Sequence, residues 1–175
     1  MVKCPRGKFV VYLAGLISGE KLDECREWRG WFKQKFVDEP VVFLDPLEGY
    51  HGAITPDGLK SEEIEGLFFV QRDRWAIKNA DVVIANLERF DKNRCIIGTL
   101  FEICWACEER KPIIVITTEP QYKHHPFITS CAVVVESLEE ATKYLRFFMS
   151  IRETKTRRKE EQNERRGQSE IRRTY

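Results

Sequence analysis

The chain has 175 residues, 42% of them hydrophobic, with six cysteines and a formal net charge of +1. That length and apolar content suit one globular domain with a real core and exclude a chain disordered throughout. Near charge balance excludes a dedicated nucleic-acid binder, and no run approaches the roughly 18 apolar residues of a membrane span.

Lys3, Arg6 and Lys8 precede the apolar run Phe9–Ile17, which has the outline of a secretory signal. No small-x-small cleavage site follows before Glu20 and Lys21, and the same run makes a good buried strand. We therefore assign the first strand to Lys8–Leu13 and expect a cytoplasmic protein. Cys95, Cys104, Cys107 and Cys131 lie in apolar runs, as reduced thiols packed like small hydrophobes do. A helix is predicted over Leu22–Phe36 and a strand over Pro40–Leu44. The Gly- and Pro-rich stretch Asp45–Lys60, with Tyr50, His51 and Asp57, reads either as a lid or as a plain surface excursion. A helix over Ser61–Asn79, with room for a break near Arg72, leads to a strand over Asp81–Asn86. Then come a helix over Thr99–Arg110, strands over Pro112–Thr117 and Ala132–Glu136, and a helix over Leu138–Met149. Residues 150–175 carry nine Lys/Arg against five Asp/Glu without apolar periodicity, a charged tail behind a domain at 1–149.

Continuous β-rich runs alternating with helices predict an α/β fold, a doubly wound, flavodoxin-like, parallel five-stranded sheet with helices on both faces. Such sheets take ligands at the carboxyl ends of their strands. Function is therefore expected in the loops Ala14–Lys21, Asp45–Lys60, Leu87–Gly98 and Thr118–Ser130.

The most informative segment is Gly98–Ala106, GTLFEICWA, where a loop gives way to a helix. A carboxylate in the first turn feels the positive end of the helix dipole and is expected to stay ionised at neutral pH, as a carboxylate nucleophile must. The competing reading is a capping box, Thr99-x-x-Glu102, in which Glu102 only ties down the helix start. Asp73 between Arg72 and Arg74 reads equally as a solvated charge cluster, Tyr12 as a strand aromatic, and Asp81 as a capping or turning residue. Cys104-x-x-Cys107 lies inside a helix rather than at its start and lacks a second pair, so neither redox nor zinc chemistry is assigned to it. Ser18 and Gly19 precede a helix whose N–H groups suit a phosphate.

Three motifs occur in order: YLAG (Tyr12–Gly15), D-x-x-x-I-x-x-AD-x-V (Asp73, Ile77, Ala80–Asp81, Val83) and GT-x-x-E (Gly98, Thr99, Glu102). In this combination the chain resembles the nucleoside 2-deoxyribosyltransferase family and its relatives that hydrolyse nucleoside or nucleotide N-glycosidic bonds. The resemblance implies Glu102 as nucleophile, Tyr12 as the group that orients it, and Asp73 as the acid at the nucleobase. It implies substrate contacts from Gly15, Ser18, Gly98 and Thr99, and from His124 or His125 in a loop that in the family often closes a neighbouring subunit's site. The family's second acid shortly before GT is replaced by Cys95–Ile97, so either Asp91, further back in a longer loop, reaches in to contact the substrate or the second acid is missing; Cys104 and Trp105 stand where the family prefers Gly and Tyr. The implied activity is transfer of a sugar between bases through a glycosyl-Glu intermediate. The alternatives are hydrolysis of a nucleoside 5′-monophosphate and nucleotide sensing without chemistry. The implied partners are a nucleoside or nucleotide and a free nucleobase, in a homo-oligomer for which Trp28, Trp31, Phe147 and Phe148 are available, with no cofactor or metal and no membrane or nucleic acid.

Overall fold

All seven residues of the strand FVVYLAG are buried, and the sheet is built outward from that strand. The computed structural model describes residues 7–17, 22–48, 54–55, 58–59, 66–88, 95–152 and 154. In chain order the elements are β1 (Phe9–Gly15), α1 (Leu22–Lys35), β2 (Val41–Leu44), β3 (Ile54–Thr55), β4 (Gly58–Leu59), α2 (Gly66–Asn79), β5 (Val82–Asn86), α3 (Ile97–Glu108), β6 (Ile113–Ile116), α4 (Pro120–Lys123), α5 (Pro126–Thr129), β7 (Val133–Val135) and a last helix, α6, over 138–152. The described residues fall into two compact units, one ending at Ala141 and one beginning at Thr142; in the second, 142–152 are helical. No helix among the described residues is long and apolar enough to cross a membrane.

The five main strands are parallel, in the order β2-β1-β5-β6-β7, while β3 and β4 form a separate antiparallel pair. The chain moves from β1 to β2 on one side and returns to β5 on the other, so the carboxyl ends of β1 and β5 flank the crevice of a doubly wound sheet. The expected α/β architecture is the one observed.

Alternation along β1 sorts the core. Val10, Tyr12 and Ala14 join Val83, Ala85, Ile77 of α2 and Ile103 and Ala106 of α3 in one buried cluster. On the opposite face Val11 is in register with Phe43, which stacks against Phe32 and Phe36 of α1. Asp81 joins β1 to β5: its N–H donates to the Val10 carbonyl at 2.7 Å, and its Oδ2 accepts the Val10 N–H at 2.8 Å. Its role at the strand entrance is thus tertiary rather than a local cap. Lys111 donates from Nζ to the carbonyls of Lys78 and Ala80, covering the C-terminal end of α2 with a cation.

Several boundaries differ from the sequence expectation. β1 runs on to Gly15, so YLAG lies wholly in the strand. α2 is unbroken at Arg72, since no Gly or Pro interrupts 67–79; 61–65 lie outside the described residues. α3 starts at Ile97 rather than Thr99 and stops at Glu108. There Arg110 takes a left-handed φ of 54°, while the N–H groups of Arg110 and Lys111 bond the Cys107 and Ala106 carbonyls. The stretch Asp45–Lys60 contains the β3–β4 pair, and Thr118–Ser130 contains α4 and α5, each opened by a proline at its first position.

Replacing Asp81 by Ala leaves the Val10 N–H without its acceptor, so Asp81→Ala is expected to destabilise the fold by about 1–3 kcal/mol. A urea titration should show a lower midpoint at an unchanged slope, whereas an unchanged midpoint would contradict this reading.

Candidate active site

Glu102 is the sixth residue of α3, and burial reduces its exposure to 7%. The capping-box reading fails on this geometry: the N-cap position is Ile96, with no side-chain cap, and Thr99 is already inside the helix. The partner of Glu102 is Tyr12, whose hydroxyl donates to Oε1 at 2.5 Å. This bond exists because Tyr12 points from β1 toward the sheet face covered by α2 and α3.

The electrostatics reverse the sequence expectation that the helix start keeps Glu102 ionised. Burial pushes its carboxyl up to about 8, against the Tyr12 hydrogen bond, which pulls it down; Asp73 raises it further, and Arg29 and Arg72 lower it. More than a turn into the helix and out of water, the carboxyl loses more in desolvation than the dipole returns. Burial also pushes the Tyr12 phenol well above the usual tyrosine range, reinforced by the neighbouring Glu102 and Asp73. Tyr12 is therefore a fixed donor at any working pH.

Asp73 in α2 is the second carboxyl of the site. Arg72 clasps it, with Nε at 2.9 Å and Nη2 at 2.8 Å from Oδ1, while the guanidinium lies 5.2 Å from the Phe69 ring. Burial raises the Asp73 carboxyl, and Arg72's charge and hydrogen bonds hold it back, with a lesser contribution from a Tyr12 hydrogen bond. Arg72 and Asp73 line two adjoining cavities. One is shared with Glu102, Gly15, Gly98, Thr99 and Trp105; the other is shared with Tyr12 and Asp45.

The structure therefore brings together Tyr12, Asp73 and Glu102, with Gly15, Gly98 and Thr99 on the same cleft. A Cβ on Gly15 would meet Trp28 Cζ2 at 2.8 Å, so close packing demands glycine there, while Gly98 faces open space. His124 and His125 are exposed at the α4–α5 junction and line neither cavity. Trp28 and Trp31, expected to be available for an interface, are half-buried against Arg29 and Phe32 of the same helix. Ser18 and Asp91 lie outside the described residues, as do Gly19, Tyr50, His51 and Asp57.

Arg29 was not singled out by the sequence. It is 0% exposed, donates from Nη1 to the Cys25 carbonyl at 2.6 Å and from Nη2 to the Gly15 carbonyl at 3.0 Å, and its Nε lies 3.4 Å from Asp45 Oδ1. It thereby ties the carboxyl ends of β1 and β2 to α1 and places a positive charge behind the cleft. Its one sequence signal is position, since Cys25, Arg29, Phe32 and Phe36 fall on one helical stripe.

Comparisons with known proteins bear on the fold and the family. The 2-deoxyribosyltransferase from Leishmania mexicana superposes with a TM-score of 0.58 at 17% identity, over 78% of this chain and 95% of that one. The 2-deoxyribosyltransferase from Bacillus psychrosaccharolyticus gives 0.54 at 19% identity, over 75% and 89%. The Moco carrier protein from Chlamydomonas reinhardtii gives 0.57 at 13% identity, over 82% and 98%, so the fold is shared beyond the transferases. No curated protein matches. The model of the family described as nucleoside 2-deoxyribosyltransferase matches residues 11–142, a span from β1 into α6 that includes Tyr12, Asp73 and Glu102. The chain belongs to the nucleoside 2-deoxyribosyltransferase family.

Proposed function

We propose that this protein cleaves the N-glycosidic bond of a (deoxy)nucleoside and passes the sugar to another base, with Glu102 as nucleophile. The observation that carries this reading is the Tyr12 hydrogen bond to a buried Glu102, in a cleft shared with Asp73. Breaking such a bond through an oxocarbenium-like transition state asks for an electron pair near the anomeric carbon and a proton for the departing base. Tyr12 occupies Oε1 and leaves Oε2 to attack. As the C–N electrons withdraw into the base, Asp73 delivers its proton to the base nitrogen. A second base then attacks the glycosyl ester, its N–H proton returns to Asp73, and the Glu102 carboxylate is released. Gly15, Gly98 and Thr99 border the sugar.

A homo-oligomer fits the same reading. Leu67 and Phe68 of α2 and Ile97 and Phe101 of α3 are exposed beside the cleft, an apolar face of the kind that marks an interface. Pairing of that kind also gives His124 and His125, which do not line their own chain's cleft, a role in a neighbour's site. Light scattering is expected to report at least a dimer; a monomer at assay concentration would remove the histidines from the mechanism.

With a second base supplied, Glu102→Gln is expected to lose at least about 10³-fold in turnover and Asp73→Asn about 10²- to 10⁴-fold. Tyr12→Phe should lose about 10- to 100-fold, the worth of one hydrogen bond to a charged group. Chromatography of deoxynucleosides and their 5′-monophosphates reads the acceptor: a new nucleoside means transfer, free sugar means hydrolysis. Wild-type turnover in Glu102→Gln would dismiss the nucleophile.

The pH dependence has a definite sign. The productive form keeps one proton on the carboxyl pair, and that proton must sit on Asp73. Glu102 holds its proton up to about 8, so the productive form is the tautomer in which that proton has passed to Asp73, and kcat/KM should fall above about 8, where the proton is lost from the two carboxyls. In Asp73→Asn the residual rate should instead rise with pH, following Glu102 ionisation alone. Profiles that are flat and identical from roughly pH 6 to 9 would contradict the assignment.

A further inference from the structure

The C-x-x-C pair that stands out in the sequence is not the pair of thiols that meet. Cys107, in the last turn of α3, donates to Cys131 in the turn before β7, with the two sulfurs 2.7 Å apart. Cys104 and Cys107 share a helix at a three-residue spacing, which holds Cβ atoms about 5–6 Å apart, too far for a disulfide while the helix stays intact.

We propose that Cys107 and Cys131 form a reversible disulfide that, when closed, pins α3 to the α5–β7 turn. Both backbones are already fixed where the thiols meet. Just past the end of α3, Arg110 is left-handed and the Lys111 N–H bonds the Ala106 carbonyl at 2.9 Å. The Cys131 turn is held by N–H bonds from Cys131 and Ala132 to the carbonyl of Ile128, itself only 4% exposed. Both cysteines are half-buried, so a small reagent can reach the pair. The hydrogen bond to Cys131, with burial second, pushes the Cys107 thiol up, which keeps the pair reduced until an oxidant and sufficient pH are present.

The oxidant is a small-molecule disulfide. One protein thiolate attacks a sulfur of the reagent, forming a mixed disulfide and expelling one reagent thiolate. The second protein thiolate then attacks the protein sulfur of that mixed disulfide and expels the other. Two protein thiols are oxidised by two electrons, the reagent is reduced to two thiols, and the two protons lost by the cysteines go to the expelled thiolates. Because α3 also carries Thr99, Glu102 and Trp105 of the cleft, the bond would stiffen the helix that bears the site. The bond itself does not depend on the proposed function.

The test equilibrates the full-length protein with oxidised glutathione, quenches with an alkylating reagent under denaturing conditions, and maps tryptic peptides by tandem mass spectrometry. The expected product links the peptide Cys95–Arg110 to the peptide His124–Lys143 through Cys107 and Cys131, with an upward shift of the thermal midpoint that dithiothreitol reverses. Cys104→Ser should keep the link and Cys131→Ser should abolish both link and shift; if Cys131→Ser fails to fold, Cys131→Ala and the wild-type map decide. Separate glutathionylation of the two cysteines, unmodified thiols, or a link through Cys104 or Cys95 would overturn the proposal.

Discussion

The hydrogen bond between Tyr12 and Glu102 is the interaction on which the site depends. It joins β1 to α3 across 90 residues of sequence and satisfies a carboxyl that has left water. Without a partner that carboxyl would be an orphaned buried polar group. With one, it becomes a carboxyl whose ionisation is governed by its neighbours, pushed up to about 8 by burial and restrained by Tyr12, Arg29 and Arg72. One contact thus ties α3 to β1 and restrains the upward shift that burial imposes on the group proposed to attack the sugar.

The rest of the fold presents that pair to a ligand. β1 lies at the point where strand order reverses, with β2 on one side and β5 on the other, so its carboxyl end opens into the crevice. Arg29 holds the Gly15 carbonyl from behind, and Gly15 has no side chain because Trp28 and Asn86 leave no room for one. On the opposite wall the Arg72 clasp keeps Asp73 at the cleft despite the cost of burying it. Burial raises both carboxyls that line this cleft, Glu102 and Asp73, and separating their protons is how such a site divides nucleophile from acid.

The strands were legible because parallel strands buried on both faces are continuous apolar runs, and VVYLA, VVIAN and IIVI have few other readings. α3 was legible as a helix but not in its first residue. Thr99 mimics an N-cap, whereas the helix begins at Ile97 on packing alone, with no side chain to announce it. α4 and α5 each carry a proline at the first position, a helix-start signal within a stretch otherwise read as loop. The motifs located Tyr12, Asp73 and Glu102. The charge state of Glu102 was not legible, because it comes from tertiary burial while the local sequence speaks only of a helix dipole. Arg29 was hidden for a related reason: its charge suggests a surface position, and only its place in the stripe with Cys25, Phe32 and Phe36 argues otherwise. Likewise, the sequence offered Cys104 and Cys107, whereas the fold brings together Cys107 and Cys131.

Carbon-detected NMR of 13C-labelled glutamate shows directly whether Glu102 is a buried carboxyl held by Tyr12. Subtracting the Glu102→Gln spectrum identifies the Glu102 carboxyl, which can then be followed against pH. Titration at about 8, moving higher in Tyr12→Phe as the hydrogen bond that favours the anion is lost, is the predicted result. Titration near 4.5, the unshifted value, and unchanged in Tyr12→Phe, would contradict it.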